Sequence, residues 1–176
     1  DASARSLLTL INDVLDLSKV EAGRMEISDA PFDLAVCLQS GLASLDLTAR
    51  QKGLSFRCQI DEDVPQSLLG DAGRLQQILI NLVGNAVKFT DAGGRITLHC
   101  AQSDGRAEVV VTDTGRGIPR GKLESIFDPF VQVDRHLTPE RQQGVGLGLA
   151  ISRDLARAMS GDITVQSDAG KGATFV

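Results

Sequence analysis

The sequence predicts an α+β fold, a two-layer α/β sandwich in which helices cover one face of a mixed, mainly antiparallel sheet. Two strands of alternating pattern, separated by Ser103-Asp104-Gly105, predict a hairpin, because these residues favour tight turns. A strongly periodic helical stripe precedes the hairpin, and a further helix with two terminal strands follows it. Antiparallel strands beside separately grouped helices favour the sandwich over a parallel sheet.

Composition places the chain among folded globular proteins. Its 176 residues are 42% hydrophobic and 23% charged, which argues against disordered, fibrous and membrane classes. A net charge of -5 argues against a nucleic-acid partner, because phosphate backbones are bound by clustered Lys and Arg. Cys37, Cys58 and Cys100 are far apart and lack C-x-x-C spacing, so we expect reduced, buried thiols and a cytoplasmic location, although a parent protein could be membrane-anchored.

The N-terminal part predicts a helix that needs a partner. Apolar residues recur there at three- and four-residue spacing between Ser6 and Gly23. The stripe consists of Leu7, Leu10, Ile11, Val14, Leu17 and Val20. Ser28-Asp29-Ala30-Pro31 breaks the pattern, so we place a linker near 24–31 and divide the chain into 1–27 and 28–176.

The sequence of the main domain predicts four more helices and five strands. The central helix begins after Leu68-Leu69-Gly70, with Asp71 as its N-cap. The segment 115–144 is a long run of turns, which is usually functional or mobile. The remaining predictions are helices at Leu34–Lys52, Leu123–Phe127 and Leu147–Met159, and strands at Leu54–Ile60, Arg95–Gln102, Ala107–Thr112, Asp162–Gln166 and Ala173–Val176.

A polar stripe on the central helix is the first candidate site. Gln77, Asn81, Asn85 and Lys88 fall on one narrow face at 100° per residue. A solvated face is the plain interpretation, but asparagine is a poor helix former, so solvation alone does not favour two of them. An asparagine oxygen suits Mg²⁺ and a lysine suits phosphate.

Three further clusters are rich in glycine. Asp113 ends an apolar strand and precedes Gly115 and Gly117, so its carboxylate could accept a hydrogen bond from an exocyclic amine; the plain alternative is an Asx-turn. Gly144-Val145-Gly146-Leu147-Gly148-Leu149 enters a helix and would offer backbone N–H groups to an anion. This segment is neither a dinucleotide fingerprint nor a P-loop. Gly170-Lys171-Gly172-Ala173-Thr174-Phe175 is, on its own, a turn between closing strands.

The order of these motifs is more specific than any one of them. The motifs resemble, in order, the N, first-glycine, F, second-glycine and third-glycine boxes of sensor histidine kinases. They are an Asn-Asn-Lys helix, Asp-x-Gly-x-Gly, Phe127-Asp128-Pro129-Phe130, a glycine helix entry and Gly-x-Gly-x-Thr-Phe. The resemblance covers about 30–176. It implies the ATP-binding fold shared with type II topoisomerases, mismatch-repair ATPases and a heat-shock chaperone, with a mobile lid over ATP.

The resemblance implies roles for individual residues. Asp113 would bind adenine, Asn85 would hold Mg²⁺, and Asn81 with Lys88 would approach the phosphates as the catalytic pair. Gly117 would allow close packing of the nucleotide, and Thr174 would sit near adenine through water. The implied nucleotide-binding set is Asn81, Asn85, Lys88, Asp113, Gly115, Gly117, Ile118, Phe130, Gly144, Gly146, Leu147, Gly148, Leu149 and Thr174. Phe127 and Phe130 would anchor the lid from Val131 to Gln143, with Arg135 and Arg141 as candidate lid cations.

The N-terminal helix resembles the end of the second dimerisation helix of such kinases. The implied partners are the parent's dimerisation helix, in a homodimer, and a response-regulator receiver domain. The family's acceptor motif, His followed by an acid, is absent: His99 and His136 have no adjacent acid. We therefore expect this chain to bind Mg·ATP without phosphorylating itself. Two alternatives stay open: a binding module without catalysis, and an ATPase that would release phosphate.

Overall fold

The computed structural model describes residues 11, 14–16, 18–19, 22, 24–133 and 145–176. Its described residues between 11 and 19 are helical, which agrees with the predicted N-terminal helix. Outside the described residues lie Leu7, Leu10, Leu17 and Val20 of the predicted stripe, Arg135, His136, Arg141 and Gly144, and most of the predicted lid from Val131 to Gln143. Among the described residues, no helix has both the length and the apolarity needed to cross a membrane.

A five-stranded mixed sheet forms one layer and confirms the predicted fold class. Its strands are β2 (Ser55–Ile60), β4 (Arg95–Ser103), β5 (Arg106–Asp113), β6 (Val165–Ser167) and β7 (Ala173–Phe175). They are ordered β2-β4-β5-β7-β6; β2 and β4 are parallel and the other pairs are antiparallel. The predicted turn joins β4 and β5, with positive φ at Asp104 and Gly105, as two-residue hairpin turns require.

Three helices form the second layer: α1 (Leu34–Gln51), α2 (Ala72–Phe89) and α3 (Gly148–Ala158). Asp33 caps α1 by accepting a hydrogen bond from the Val36 N–H at 2.9 Å, and Asp71 caps α2, as predicted, through the Arg74 N–H at 3.0 Å. The core lies between the helices and the sheet. Its most buried side chains include Leu34, Leu79, Val83, Ile96, Leu98, Val111, Leu147, Ile151 and Leu155.

A second sheet was not predicted. Strand β1 (Ala30–Asp33) pairs antiparallel with β3 (Ser67–Gly70), where the sequence predicted a linker and the opening of a helix. The two strands are separated by more than 30 residues, so local patterning does not indicate the pairing. Pro31 is tolerated because β1 pairs on one side only.

Three smaller predictions are corrected. Leu123–Phe127 is not an α-helix: two 3₁₀ turns, Arg120–Lys122 and Ser125–Phe127, occupy this stretch. Strand β6 begins at Val165, because the Asp162 carboxylate instead binds arginines at the end of α3. Cys37 and Cys100 are buried, but Cys58 is exposed because β2 is an edge strand.

Candidate functional site

Three of the four stripe residues on α2 face one region. Asn81, Asn85 and Lys88 are each partly buried. The Asn81 amide nitrogen donates to Gly148 O at 3.3 Å and to Ser152 Oγ at 3.2 Å, which joins α2 to the first turn and a half of α3. Within the described part of the chain the Asn85 side chain makes no hydrogen bond, so its oxygen can accept a ligand.

Gln77, the fourth stripe residue, is not part of this region. Its amide nitrogen donates to Asp16 Oδ2 at 2.8 Å, which ties it to the N-terminal helix. Arg74, one turn earlier on α2, also contacts Asp16. The polar stripe therefore serves two contacts, one at each end of α2.

A cationic cluster surrounds the C-terminal end of α2. Lys88 Nζ lies 4.6 Å from the centroid of the Phe89 ring, and the Arg116 guanidinium carbon lies 4.4 Å from the same centroid. Burial, together with the charge of Arg116, lowers the pKa of Lys88. Arg116 was not singled out in the sequence; it also donates to Val133 O at 3.4 Å. Two nearby cations favour an anionic ligand, because each destabilises the charge of the other.

Asp113 provides a buried carboxylate at the end of β5. The residue is 9% exposed, and its Oδ1 accepts a hydrogen bond from the Gly115 N–H at 2.8 Å. Burial raises the pKa of Asp113, and hydrogen bonds from the Gly115 and Ala173 N–H groups oppose this. Each carboxylate oxygen has two lone pairs, so Asp113 retains the capacity to accept another hydrogen bond.

Two glycines after Asp113 allow this loop to pack closely. A Cβ at Gly115 would lie 2.5 Å from Phe89 O, so only glycine lets the loop approach the end of α2. Gly117 has φ +68°, and a Cβ there would collide with Asp168 O in the turn between β6 and β7. Ile118 follows, packs against the core and donates its N–H to Ser167 Oγ at 2.8 Å.

The predicted lid begins and ends at one place. The Phe130 N–H donates to Gly146 O at 2.9 Å, so the two ends of 131–145 meet. Phe130 is 64% exposed and has φ +67°, which is rare for a non-glycine residue and marks a constrained position. Phe127 is more buried, with the Arg153 guanidinium carbon 4.6 Å from its ring centroid, and so lies against α3.

The N-terminus of α3 faces the same region as Asn81. Leu147, the residue before the helix, is 1% exposed, and no side chain caps the helix start. The first N–H groups of an uncapped helix are available to an anion. A Cβ at Gly148 would lie 3.1 Å from Asn81 Oδ1, so glycine permits this contact, and Leu149 packs beside the core.

Thr174 lies on β7, next to the strand that ends at Asp113. Its hydroxyl oxygen lies 3.1 Å from that of Thr112, on the neighbouring strand. Side chains alternate along a strand, so Thr112 and Thr174 point to the sheet face opposite the buried Val111 and Phe175. They line a cleft of about 480 Å³, and Asp113 and Ala173 also belong to its lining. The Ala173 N–H donates a hydrogen bond to the Asp113 carboxylate.

His99 also differs from its sequence-based description. Its Nε2 lies 2.8 Å from Asp61 Oδ1, so an acid from the loop after β2 accompanies the imidazole. Its neighbours Leu98 and Cys100 are buried, so His99 points to the opposite face of the sheet from α2.

Comparison with known proteins identifies a family. Residues 70–176 match the model described as histidine kinase-, DNA gyrase B-, and HSP90-like ATPase. The signal transduction histidine-protein kinase BarA of Escherichia coli is 41% identical over 179 residues, which cover 99% of this chain and 19% of BarA. ShkA, solved at full length in complex with AMPPNP, is 39% identical with a TM-score of 0.86, over 99% of this chain and 35% of ShkA.

A more distant structure shares the fold. The histidine kinase ThkA, solved in complex with the response regulator protein TrrA, has a TM-score of 0.71 at 23% identity. This match covers 96% of this chain and 47% of that one. The chain therefore spans less than half the length of each of these three proteins.

Proposed function

Since the chain belongs to the family of histidine kinase-, DNA gyrase B- and HSP90-like ATPases, we propose that it is the catalytic part of a sensor histidine kinase. It binds Mg·ATP and presents the γ-phosphoryl group to a histidine that lies outside these 176 residues. The observation that carries the proposal is the contact of Asn81 on α2 with the start of α3, whose N-cap residue makes no side-chain cap. Lys88 follows two turns later on α2, and the loop after the buried acceptor Asp113 packs against the end of the same helix.

Asp113 is proposed to bind the adenine ring. A buried carboxylate is an unusually good acceptor for an exocyclic amine, because no water competes for it. Asp113 is 9% exposed and already oriented by the Gly115 N–H. We propose that Ala173 contributes its backbone here; Thr174, whose hydroxyl binds Thr112, supports an adenine contact less well.

Asn81, Lys88 and the start of α3 are proposed to bind the phosphates. The first N–H groups of α3 and the positive end of its dipole favour an anion. Asn81 fixes the position of Gly148 relative to α2, and Lys88 adds a full positive charge. Gly144 and Gly146 would complete this cradle.

The residues present fit a magnesium ion. Asn85 is partly buried, one turn before Lys88, and its side chain makes no hydrogen bond to a described residue. Among the described residues no group of three or more His, Cys, Asp or Glu side chains could hold a metal, so Mg²⁺ would be held by Asn85 and the phosphates. When bound, the ion neutralises phosphate charge during transfer.

Transfer is favoured over hydrolysis. By resemblance, ATPase relatives place a glutamate at the position of Asn81 to activate water. Asn81 is neutral, and its amide nitrogen is engaged as a donor to Gly148 and Ser152. Phosphoryl transfer needs mainly alignment and charge neutralisation, so a site without a base can serve an imported nucleophile.

The acceptor and the onward partner are proposed from the family. Residues 1–27 would be the end of the second dimerisation helix, and 28–176 the catalytic domain in the cytoplasm. The acceptor histidine would lie on the first dimerisation helix of a homodimeric parent. A response-regulator receiver domain would take the phosphoryl group next.

The test is a calorimetric titration with a non-hydrolysable ATP analogue, with and without Mg²⁺. Metal-dependent binding is expected; absence of binding contradicts the proposal. A second assay adds a histidine-bearing dimerisation hairpin and radiolabelled ATP. Label on the hairpin supports a kinase, binding without label supports a regulatory module, and steady phosphate release that depends on Asn81 supports an ATPase.

A further inference from the structure

A polar contact joins the N-terminal helix to α2. Arg74 Nη1 lies 3.2 and 3.3 Å from the two carboxylate oxygens of Asp16 and donates to Gln77 Oε1 at 2.9 Å. The Gln77 amide nitrogen donates to Asp16 Oδ2 at 2.8 Å. The three side chains therefore form a closed triangle, called here the Asp16 dock.

Asp16, the carboxylate of the dock, is buried, although it belongs to a segment whose other described residues are exposed. Asp16 is 9% exposed, whereas Ile11, Val14 and Leu15 are 46%, 52% and 52% exposed. The described apolar side chains of this helix thus bury little surface against the domain. A carboxylate shielded from water is costly unless it is paired. The dock therefore specifies one orientation of the N-terminal helix on the domain more strongly than the contacts of its described apolar side chains do.

The dock and the nucleotide-binding residues lie on the same helix. Arg74 and Gln77 occupy the first two turns of α2, and Asn81, Asn85 and Lys88 occupy the following turns. A helix is rigid over this length. A contact that fixes the first turns of α2 relative to the N-terminal helix therefore also fixes the direction in which the proposed nucleotide-binding residues face. A second link supports the same geometry: the Ser28 N–H donates to the Asp71 carboxylate at 3.0 Å.

We propose that Arg74 and Gln77 are positioning residues that, through Asp16, hold the nucleotide-binding domain in one orientation on the N-terminal helix. The inference rests on the proposed function, since the orientation matters for transfer only when the acceptor lies on the helical domain. These residues precede the proposed phosphate and metal ligands along α2 and belong to neither set. They set where the γ-phosphoryl group points.

The test measures orientation without nucleotide. Nitroxide labels at Lys19→Cys and Gln39→Cys, both exposed positions, report the distance between the N-terminal helix and α1, with Cys58→Ser removing the exposed native thiol. The parent chain should give one narrow distribution. Asp16→Ala and Arg74→Gln should broaden it at least about twofold, because a segment without a fixed contact samples many orientations.

Matched variants separate positioning from general stability. Arg74→Lys, unlike Arg74→Gln, should give the same narrow distance distribution as the parent chain. One nitrogen of Arg74 makes both contacts with Asp16, and the ammonium group of a lysine can replace it. Asp29→Ala, which removes an exposed carboxylate from the linker, should change nothing. If a dock variant unfolds, Gln77→Ala replaces it in the distance measurement. This variant removes one hydrogen-bond donor and one acceptor from the dock but no charge.

An unchanged distribution in Asp16→Ala and Arg74→Gln would overturn the inference, and so would equal broadening in Asp29→Ala. Titration with the ATP analogue should give the same affinity, within about twofold, in the parent chain and the dock variants. The dock and the proposed ligands of the nucleotide are distant sites, and substitutions at distant sites act independently of each other. If the parent chain binds no analogue while the dock variants still broaden the distance distribution as expected, the proposed function alone is contradicted.

Discussion

The amide nitrogen of Asn81 on α2 lies 3.2 Å from the hydroxyl oxygen of Ser152 on α3. Ser152 is fully buried, and Asn81 also reaches the carbonyl of Gly148 at the start of α3. The helix with the proposed metal and phosphate ligands is thereby fixed to the helix whose N-terminus faces the phosphates. A residue with a proposed catalytic role therefore also has a structural one.

Asn81→Ala should lower the free energy of unfolding by about 1–3 kcal/mol, because it leaves a buried hydroxyl and a carbonyl without their donor. Urea unfolding followed by circular dichroism measures this. Gln39→Ala, on the exposed face of α1, is the control and should change stability by less than about 0.5 kcal/mol. Equal stability of the two variants would show that the contact between α2 and α3 contributes nothing.

Asp113→Asn should separate binding from stability. Loss of the charged acceptor should weaken binding of the ATP analogue about tenfold or more, because a hydrogen bond to a charged group contributes about 1.5–3 kcal/mol. Inorganic triphosphate should bind as before. Calorimetric titration with both ligands measures the difference; unchanged affinity for the ATP analogue would exclude the adenine role.

The same variant should not lose folding stability at neutral pH. Burial raises the pKa of Asp113 above its unfolded value, so the folded chain holds this proton to higher pH than the unfolded chain. Its contribution to stability thus falls as pH rises between the two values, and at neutral pH the buried charge is a cost. An asparagine avoids that cost, so we expect urea unfolding to show equal or higher stability.

The features that the sequence predicted well depend on short-range chemistry. Asp71 caps α2 through a residue three positions on, and the Asp104-Gly105 turn needs only two residues with positive φ. The order of the glycine and asparagine motifs indicated the family, because several spacings had to agree.

The features that were missed depend on residues far apart in the chain. Asp16 and Arg74 are separated by 58 positions, and Asp61 and His99 by 38. No local pattern encodes which distant side chains meet. The role of Thr174 near adenine stays a prediction: its hydroxyl contacts Thr112, and the backbone of the preceding residue, Ala173, contacts Asp113.

Asn85→Ala should abolish the dependence of nucleotide binding on Mg²⁺. Its side-chain oxygen is the proposed protein ligand, and Mg²⁺ usually has one or two such ligands besides phosphates and waters. Titration of the ATP analogue at increasing Mg²⁺ measures the effect, with Gln39→Ala on the exposed face of α1 as the control that should keep the dependence. If affinity in Asn85→Ala rose with Mg²⁺ as it does in the parent chain, the metal assignment would be wrong.

Binding should weaken at alkaline pH, at a pH that burial of Lys88 and the charge of Arg116 both lower. The pKa of Lys88 is lowered, first by burial and then by the Arg116 charge, so Lys88 loses its proton at lower pH than an ordinary lysine. Affinity for the ATP analogue should therefore fall as pH rises through that pKa. Arg116→Gln should move this fall to higher pH, whereas Arg57→Gln on exposed β2 should leave it unchanged. A pH profile identical in the three chains would contradict the coupling.

The chain alone should not phosphorylate His99. With the Asp61 carboxylate 2.8 Å from its Nε2 and a side chain 41% exposed, His99 has the acid partner and access that a phosphoacceptor needs. It points, however, to the opposite face of the sheet from α2 and Asp113, so it cannot reach a phosphoryl group bound in the same molecule. Incubation with ATP labelled at the γ-phosphate, followed by detection of acid-labile label, should give no signal in the parent chain or in His99→Gln. Label present in the parent and lost in His99→Gln would mean that one molecule phosphorylates another at this histidine, and that the acceptor is not confined to a helix outside the chain.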